Sequence, residues 1–355
     1  MAEIGVGIVG YGLAGKVFHA PFVSAVPGLK LLAFVERSTD EAHAAYPVTH
    51  TYRTLEKLLN DPAIELVVVG TPNATHFSLA KQALEAGKHV VIDKPFTETS
   101  TQAEELIALA KAKGVVLAPF QNRRWDGDFL TVKKLLAERT LGRLVTFESH
   151  FDRFKPAPRV HAWKESANPA NGMLMDLGPH LVDQALALFG LPQLVTASVR
   201  SDRDTTAIDD VFDIALTYPR LTVWLRATML AAQPGPRFQL HGTHGSYRKY
   251  GLDPQEPAIV GGAKVPVLGS TADWLSEDES HWGELATAPD LAKPETLVRT
   301  NLPTERGDYR EFYSNVRDAI NGDASLIVTP QDGLATAVVL EAARKSSAES
   351  RSVTM

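Results

Sequence analysis

IGVGIVGYGLAGKVFHAPF, residues 4–22, decides how the first third of the chain folds. Apart from its glycines, Ile4–Val9 is apolar at every position, the pattern of a strand buried on both faces of a parallel sheet. Gly10-Tyr11-Gly12-Leu13-Ala14-Gly15 follows at once and leads into a helical segment. A G-x-G-x-x-G pattern is weak by itself, but between a strand and a helix it has a mechanism. The glycines permit a tight turn and close approach of backbone to a pyrophosphate, and the helix N-terminus offers N–H groups and the positive end of its dipole. An acidic residue is then required about 20 positions on, at the end of the second strand, to accept the ribose hydroxyls. Glu36 ends LLAFVE, 21 residues after Gly15. The six motif residues and Glu36 are thus expected to hold a dinucleotide, NAD or NADP. Glu36 repels a 2′-phosphate and tips the expectation toward NAD, whereas Arg37 and Ser38 just after it could hold one.

Four further runs continue the rhythm: LKLLAFV (29–35), ELVVVG (65–70), KHVVI (88–92) and VVLAPF (115–120). Between the last three lie ATHFSLAKQALEAG (74–87) and STQAEELIALAKAKG (100–114), each beginning near Thr or Ser and ending at Gly, as helices do. The alternation predicts a doubly wound parallel sheet with right-handed crossovers. After residue 122 the pattern changes. WDGDFLTVKKLLAE (125–138) reads as a helix. LVTFESHFDRF (144–154), LVTASVRSD (194–202), DVFDIALTY (210–218), LTVWLRATML (221–230) and RFQLHG (237–242) read as strands, several alternating apolar and polar, with a hairpin turn at YPRL (218–221). That predicts an antiparallel sheet with one face under helices. The expected class is α/β: a Rossmann domain over 1–122, then an α+β domain with an open, mostly antiparallel sheet over 123–355. Residues 251–305, rich in Pro, Gly and acids, read as a long surface excursion, and two helices over 308–321 and about 330–349 close the chain.

Composition narrows the function. The 355 residues carry a net charge of −6 with no run of one sign, which gives the wrong field for nucleic acid or an acidic membrane surface. The chain has no cysteine, so disulfides, thiolate catalysis and cysteine-bound metals are excluded. No metal site is expected, since His241 and His244 in HGTHG read as strand and turn. No apolar run approaches the ~18 residues needed to span a bilayer. After MAE the chain enters a strand rather than a leader, so a cytoplasmic protein is expected.

In open α/β sheets, ligands lie beyond the carboxyl ends of the strands. Two polar clusters stand there: Thr71-Pro72-Asn73-Ala74-Thr75-His76 and Asp93-Lys94-Pro95. Thr71, Pro72, Asn73, His76, Asp93 and Lys94 are therefore expected at the cofactor. The alternative for Thr71 and Asn73 is turn and cap duty, and for Lys94 a solvated surface lysine. NGMLMDLGPHLVDQALALFG (171–190) is apolar yet carries Asp176, His180 and Asp183. Its part LGPHLVDQALALFG (177–190) reads as a helix with Pro179 near its first turn and Gly190 just past its end. Asp176 then caps that helix from the preceding turn, or shares an edge with His180 four residues on. Beside a nicotinamide, an imidazole flanked by carboxylates is a proton acceptor for alcohol oxidation, and Lys94 would hold the developing alkoxide. The plainer reading makes His180 a hydrogen-bonded core histidine.

GYGLAG, TPNATH, GKHVVIDKPF, QNRRWDGDF, FESHFDRFKP, MDLGPHLVDQ and GSYRKYGLDPQE, in that order, resemble the family of glucose–fructose oxidoreductase, inositol dehydrogenase and rhizopine-catabolism protein, Gfo/Idh/MocA. Within it they resemble a subgroup with NADP-dependent scyllo-inositol dehydrogenases. The resemblance covers essentially the whole chain. It implies an NAD(P)-dependent dehydrogenase acting on a secondary CH–OH of a sugar or cyclic polyol, and a homodimer or homotetramer formed through the C-terminal sheet. The family's E-K-P motif becomes Asp93-Lys94-Pro95, and its D-x-x-x-H pair falls on Asp176 and His180. Asn122 lies in the segment that passes the nicotinamide, and Arg123, Arg153 and Trp163 fall on the substrate side. Glu36 stands where NADP users of the subgroup commonly carry a small polar residue. Two rivals use the same fold: a non-catalytic NAD(P)-binding regulator and a redox-assisted glycosidase.

Overall fold

The computed structural model describes residues 3–158 and 163–355. The chain divides into two compact units. The first comprises Met1–Trp125, Pro254–Leu275 and Asp308–Ala337, the second Asp126–Asp253, Ser276–Gly307 and Val338–Met355.

The first unit opens with β1 (Ile4–Val9), α1 (Ala20–Ala25), β2 (Leu29–Val35), α2 (Glu41–Ala45), β3 (His50–Tyr52) and α3 (Leu55–Leu59). It continues with β4 (Leu66–Val69), α4 (His76–Glu85), β5 (His89–Ile92), α5 (Ser100–Lys113) and β6 (Leu117–Pro119). The six strands are parallel in the order β3-β2-β1-β4-β5-β6, which reverses between β1 and β4. That is the doubly wound order, and its switch point lies where Gly10 begins. The apolar strands are explained by β4. Leu66 and Val68 enter one core and Val67 and Val69 the other, so no position faces water.

The second unit contributes α6 (Gly127–Ala137), β7 (Leu144–His150), α7 (Met173–Phe189), β8 (Leu194–Arg200), β9 (Val211–Tyr218), β10 (Leu221–Thr228), β11 (Phe238–Gly242) and β12 (Gly245–Lys249). Beyond α8 (Gln255–Val260) come β13 (Gly283–Thr287), β14 (Val298–Leu302), α9 (Arg310–Asn321), α10 (Pro330–Glu349) and β15 (Val353–Thr354), of which α8 and α9 fall in the first unit and α10 begins there and ends in the second. Nine strands form one sheet in the order β14-β13-β12-β11-β7-β10-β9-β8-β15, in which β7 and β10 run parallel and the other pairs antiparallel. Val223, Leu225 and Ala227 of β10 are buried with Leu177 and Leu181 of α7, while Thr222, Trp224 and Arg226 alternate on the other face. The turn at YPRL forms as expected, with Arg220 at a φ of 62°.

Two expectations are corrected. Residues 251–305 are not a featureless excursion, because β13 and β14 extend the sheet from β12 and α8 joins the first unit. These strands lie toward an edge and β14 is mostly exposed, so neither shows the apolar alternation by which a strand is recognised. The helix carrying His180 begins at Met173, which places Pro179 in its interior and Asp176 in its first turn. Its start is set from far away in sequence. Asp209, between β8 and β9, accepts from the amide of Leu174 at 2.7 Å through its carboxylate and from that of Met173 at 2.8 Å through its carbonyl. Gly172 makes room for this cap, since a Cβ there would lie 2.2 Å from Asp209 Oδ1.

Asp209→Ala is expected to lower unfolding free energy by about 1–2 kcal/mol, and Asp209→Asn by much less, because asparagine caps about as well as aspartate. Equal losses in urea denaturation would refute the capping role.

Candidate active site

The three glycines of the motif serve different ends. Gly10 sits at a φ of +96°, and a Cβ there would approach Gly70 O to 2.9 Å. A Cβ on Gly15 would lie 2.5 Å from Gly10 O. Both are demanded by the turn itself. Gly12 has no protein atom within 4 Å of the position a Cβ would take. Its missing side chain leaves a cradle that a cofactor's pyrophosphate can approach, and the motif fits a dinucleotide on that ground. Around the turn, Tyr11 packs edge-on against Phe34 and Tyr46, Leu13 is exposed, and Ala14 is half-buried.

Glu36 follows β2 as expected, yet its carboxylate points inward. It is 6% exposed and accepts from Thr39 Oγ1 at 2.7 Å and from the Ala42 amide at 3.0 Å. The same loop is tied down by Arg53, which donates to the carbonyls of Glu36 and Thr39 and grips Asp40 with two bonds of 2.8 Å. Arg37 and Ser38 are exposed.

At the end of β4, the Thr71 and Thr75 hydroxyls lie 2.7 Å apart; Thr75 donates to Pro72 O, so Thr71 is the donor to Thr75. Asn73 starts a short 3₁₀ turn and Pro72 is exposed. His76 is buried with Nδ1 at 2.8 Å from Pro95 O and Nε2 at 2.9 Å from Thr71 O, which makes it a strut between two strand ends. Asp93 takes the Lys94 amide on Oδ1 at 2.8 Å. Burial alone would raise its carboxyl, but His19, Lys94 and His76 hold it below the ordinary carboxylate value. Lys94 is half-buried. Past β6, Asn122 is 2% exposed, and its Nδ2 has no hydrogen-bond partner among the described residues, a donor suited to a ligand carbonyl. Arg123 is buried against Glu256 at 2.5 Å and lies 3.4 Å from Tyr309 Oη, an ion pair inside the first unit.

The second unit holds the other set. Asp176 and His180 are one turn apart on α7, and His180 is 5% exposed with its ring 6.2 Å from that of Phe151. Asp183 is buried further along the same helix. Asp176 does not cap the helix. It pairs with Lys164 Nζ at 2.8 Å and with Arg153 Nη1 at 3.4 Å, and all three side chains are partly exposed. Lys164 also lies 5.6 Å over the ring of Trp163, which is itself exposed. Arg153 and Trp163 are thus linked to Asp176 through Lys164 or directly, with His180 one turn further along α7. Lys164 was not foreseen, because one lysine in a loop carries no periodic or motif signal.

Among the described residues no group of His, Asp or Glu is arranged to hold a metal ion, and no helix is long and apolar enough to cross a membrane.

A sheet reversing beside a glycine cradle is the arrangement of a dinucleotide-binding fold. Residues 4–121 match the model of an oxidoreductase family's NAD-binding Rossmann fold, and residues 133–355 its C-terminal alpha/beta domain. The chain belongs to the Gfo/Idh/MocA oxidoreductase family. It is 47% identical over 321 residues to the Escherichia coli oxidoreductase YdgJ, covering 90% of each chain. It is 37% identical to the Bacillus subtilis scyllo-inositol 2-dehydrogenase (NADP(+)) IolW, covering 99% of this chain and 95% of that one. Among solved structures, the YPO2259 oxidoreductase of Yersinia pestis superposes with a TM-score of 0.92 at 41% identity, over 100% of this chain and 97% of that one.

Gly12→Val is expected to leave the melting temperature of the free protein nearly unchanged while weakening NAD(P) binding by at least about 10-fold, because the added carbons meet only cofactor. Gly15→Val is expected to destabilise the free protein. Thermal melts with and without NADP⁺ separate the two, and equal destabilisation by both would refute the cradle.

Proposed function

We propose that this oxidoreductase transfers a hydride between NAD(P) and a secondary CH–OH of a sugar or cyclic polyol of inositol type. The observation that carries the reading is α7. A helix otherwise built for burial sets a carboxylate and an imidazole one turn apart, the arrangement of a general base with a charged neighbour. The named activity of IolW supports a polyol. The bound nicotinamide supplies the redox chemistry. His180 takes or returns the hydroxyl proton. Lys94 donates to the substrate oxygen and stabilises its developing negative charge. Asp176, engaged by Lys164 and Arg153, keeps a charged edge on α7 from which those two cations offer donors to neighbouring hydroxyls. Trp163 supplies an apolar surface for the ring carbons, and Arg123 supports the wall from which Asn122 reaches the carboxamide.

For the cofactor we propose NADP over NAD. Repulsion of a 2′-phosphate requires a carboxylate facing the ribose, whereas the Glu36 carboxylate is buried and already bound to Thr39 and Ala42. Arg37 and Ser38 then stand at the end of β2 as donors for a 2′-phosphate.

Lys94→Met and His180→Ala are each expected to lower kcat by roughly 10²- to 10⁴-fold on whichever inositol or aldose the enzyme oxidises, followed as NADPH absorbance. Near-normal turnover in both would refute the assignment, and cleavage of a glycoside without net reduction would move it to the redox-assisted route. Arg37→Ala is expected to cut kcat/KM for NADP⁺ about 10-fold with little change for NAD⁺, as loss of one charge-assisted contact implies. An unchanged NADP⁺/NAD⁺ ratio would refute the phosphate contact.

A further inference from the structure

The imidazole of His19 is 0% exposed, and three strand ends meet it. Gly70, after β4, leaves space against the ring, where a Cβ would lie 3.0 Å from His19 Cδ2. Asp93, after β5, places Oδ2 3.9 Å from Nε2. Phe120, after β6, packs edge-on with centroids 4.5 Å apart. From α9, the buried Tyr313 lies with its hydroxyl 2.7 Å from Nδ1.

Chemistry fixes the sense of this chain. Because the Asp93 carboxylate only accepts, the ring proton is best placed on Nε2, which leaves Nδ1 to accept from the Tyr313 hydroxyl, kept protonated because burial, reinforced by Asp93, pushes it well above the ordinary phenol value. A spacer at this position would be better made from leucine, because a buried imidazole costs free energy unless its polar atoms are used. The polar atoms here form a line, Tyr313 to His19 to Asp93, that ends on the Lys94 amide; its middle step, from Nε2 to Asp93 at 3.9 Å, is an electrostatic contact and not a hydrogen bond, and Nε2 has no other polar partner among the described residues.

We propose that His19 and Tyr313 are positioning residues for Lys94: the imidazole, backed by the phenol, anchors the Asp93 carboxylate, and Asp93 fixes the backbone from which the Lys94 side chain departs. The inference rests on the reading of Lys94 as the group that holds the substrate oxygen. His76 braces the other side of the same turn through Pro95 O, so Lys94 and Pro95 are gripped on both flanks. The anchoring matters because displacing a catalytic group by about 1 Å can cost 10²-fold in rate.

The test compares His19→Leu, His19→Gln, Tyr313→Phe and Lys94→Met in the full-length protein. Turnover is measured with scyllo-inositol and NADP⁺, NADP⁺ binding by thermal shift, and labelling of Lys94 by an amine-reactive ester by mass spectrometry. His19→Leu and Tyr313→Phe are expected to lower kcat by roughly 10- to 100-fold with KM for NADP⁺ and the thermal shift little changed. His19→Gln, whose amide can donate toward Asp93, should recover part of the loss. Lys94 should label faster in both damaged variants, because its neighbouring carboxylate is no longer held, and this arm needs no substrate. Wild-type kcat and labelling in Tyr313→Phe and both His19 variants, with only melting temperature lowered, would overturn the inference while leaving Lys94 intact. Full turnover in Lys94→Met would overturn the reading of Lys94 itself. Should His19→Leu not fold, Tyr313→Phe, which removes a single oxygen, and His19→Gln decide the matter alone.

Discussion

Strands covered on both faces set the terms for the first unit. A residue inside β1 or β4, or in Val90–Ile92 of β5, has a core on whichever side it points, so an ionisable group there would bear the cost of desolvation. Polar chemistry is forced to the strand ends, where the backbone leaves the sheet. Gly10 and Gly12, Glu36, Thr71, Asp93 and Asn122 all lie within a few residues of such an end. The reversal of strand order between β1 and β4 then separates the flanking loops and leaves the glycine turn open to a ligand. Burial of the sheet and placement of the site are one requirement.

What was legible in the sequence follows from the same physics. The parallel sheet announced itself because two-sided burial forbids polar residues, and the cradle because glycine there is dictated by sterics. The second unit's main strands were readable because one wet face imposes alternation. The failures have equally definite causes. β13 and β14, toward an edge of the sheet, need little burial and so carry little pattern. The start of α7 is set by Asp209, 36 positions beyond Met173 in sequence, and a cap supplied across the fold leaves no local signature. Pro179 therefore looked like a helix-starting proline although it is an interior one.

Glu36 stands at the expected position, with partners for its carboxylate within its own loop. The spacing from the glycine motif is right, and an acid at the end of β2 is what a ribose-binding strand end requires. The side chain nevertheless turns toward the start of α2, where the Ala42 amide and the Thr39 hydroxyl bind it. An acid near a helix start is stabilised by the free N–H groups and the dipole, and that local gain competes with solvent or ligand for the same carboxylate. Sequence spacing reports where the backbone is, not which of two donors a flexible side chain chooses. Arg53, holding the carbonyls on either side of Arg37 and Ser38, fixes the loop with those two residues outermost.

Asp176 makes a related point about charge. Considered with its helix, it is a carboxylate one turn from an imidazole, and it would act on His180 as an isolated negative charge. Its pairing with Lys164 and Arg153 alters that field. Two cations around one carboxylate give this group of three side chains a net positive charge. What remains is a rigid edge rich in donors, because each cation has N–H groups beyond those given to Asp176. A polyol ring offers several hydroxyl oxygens as acceptors, and its recognition depends on the number and placement of such donors more than on net charge. On the proposed polyol reading, the cluster holds the non-reacting hydroxyls of the substrate while Asp176 remains the charged neighbour of His180.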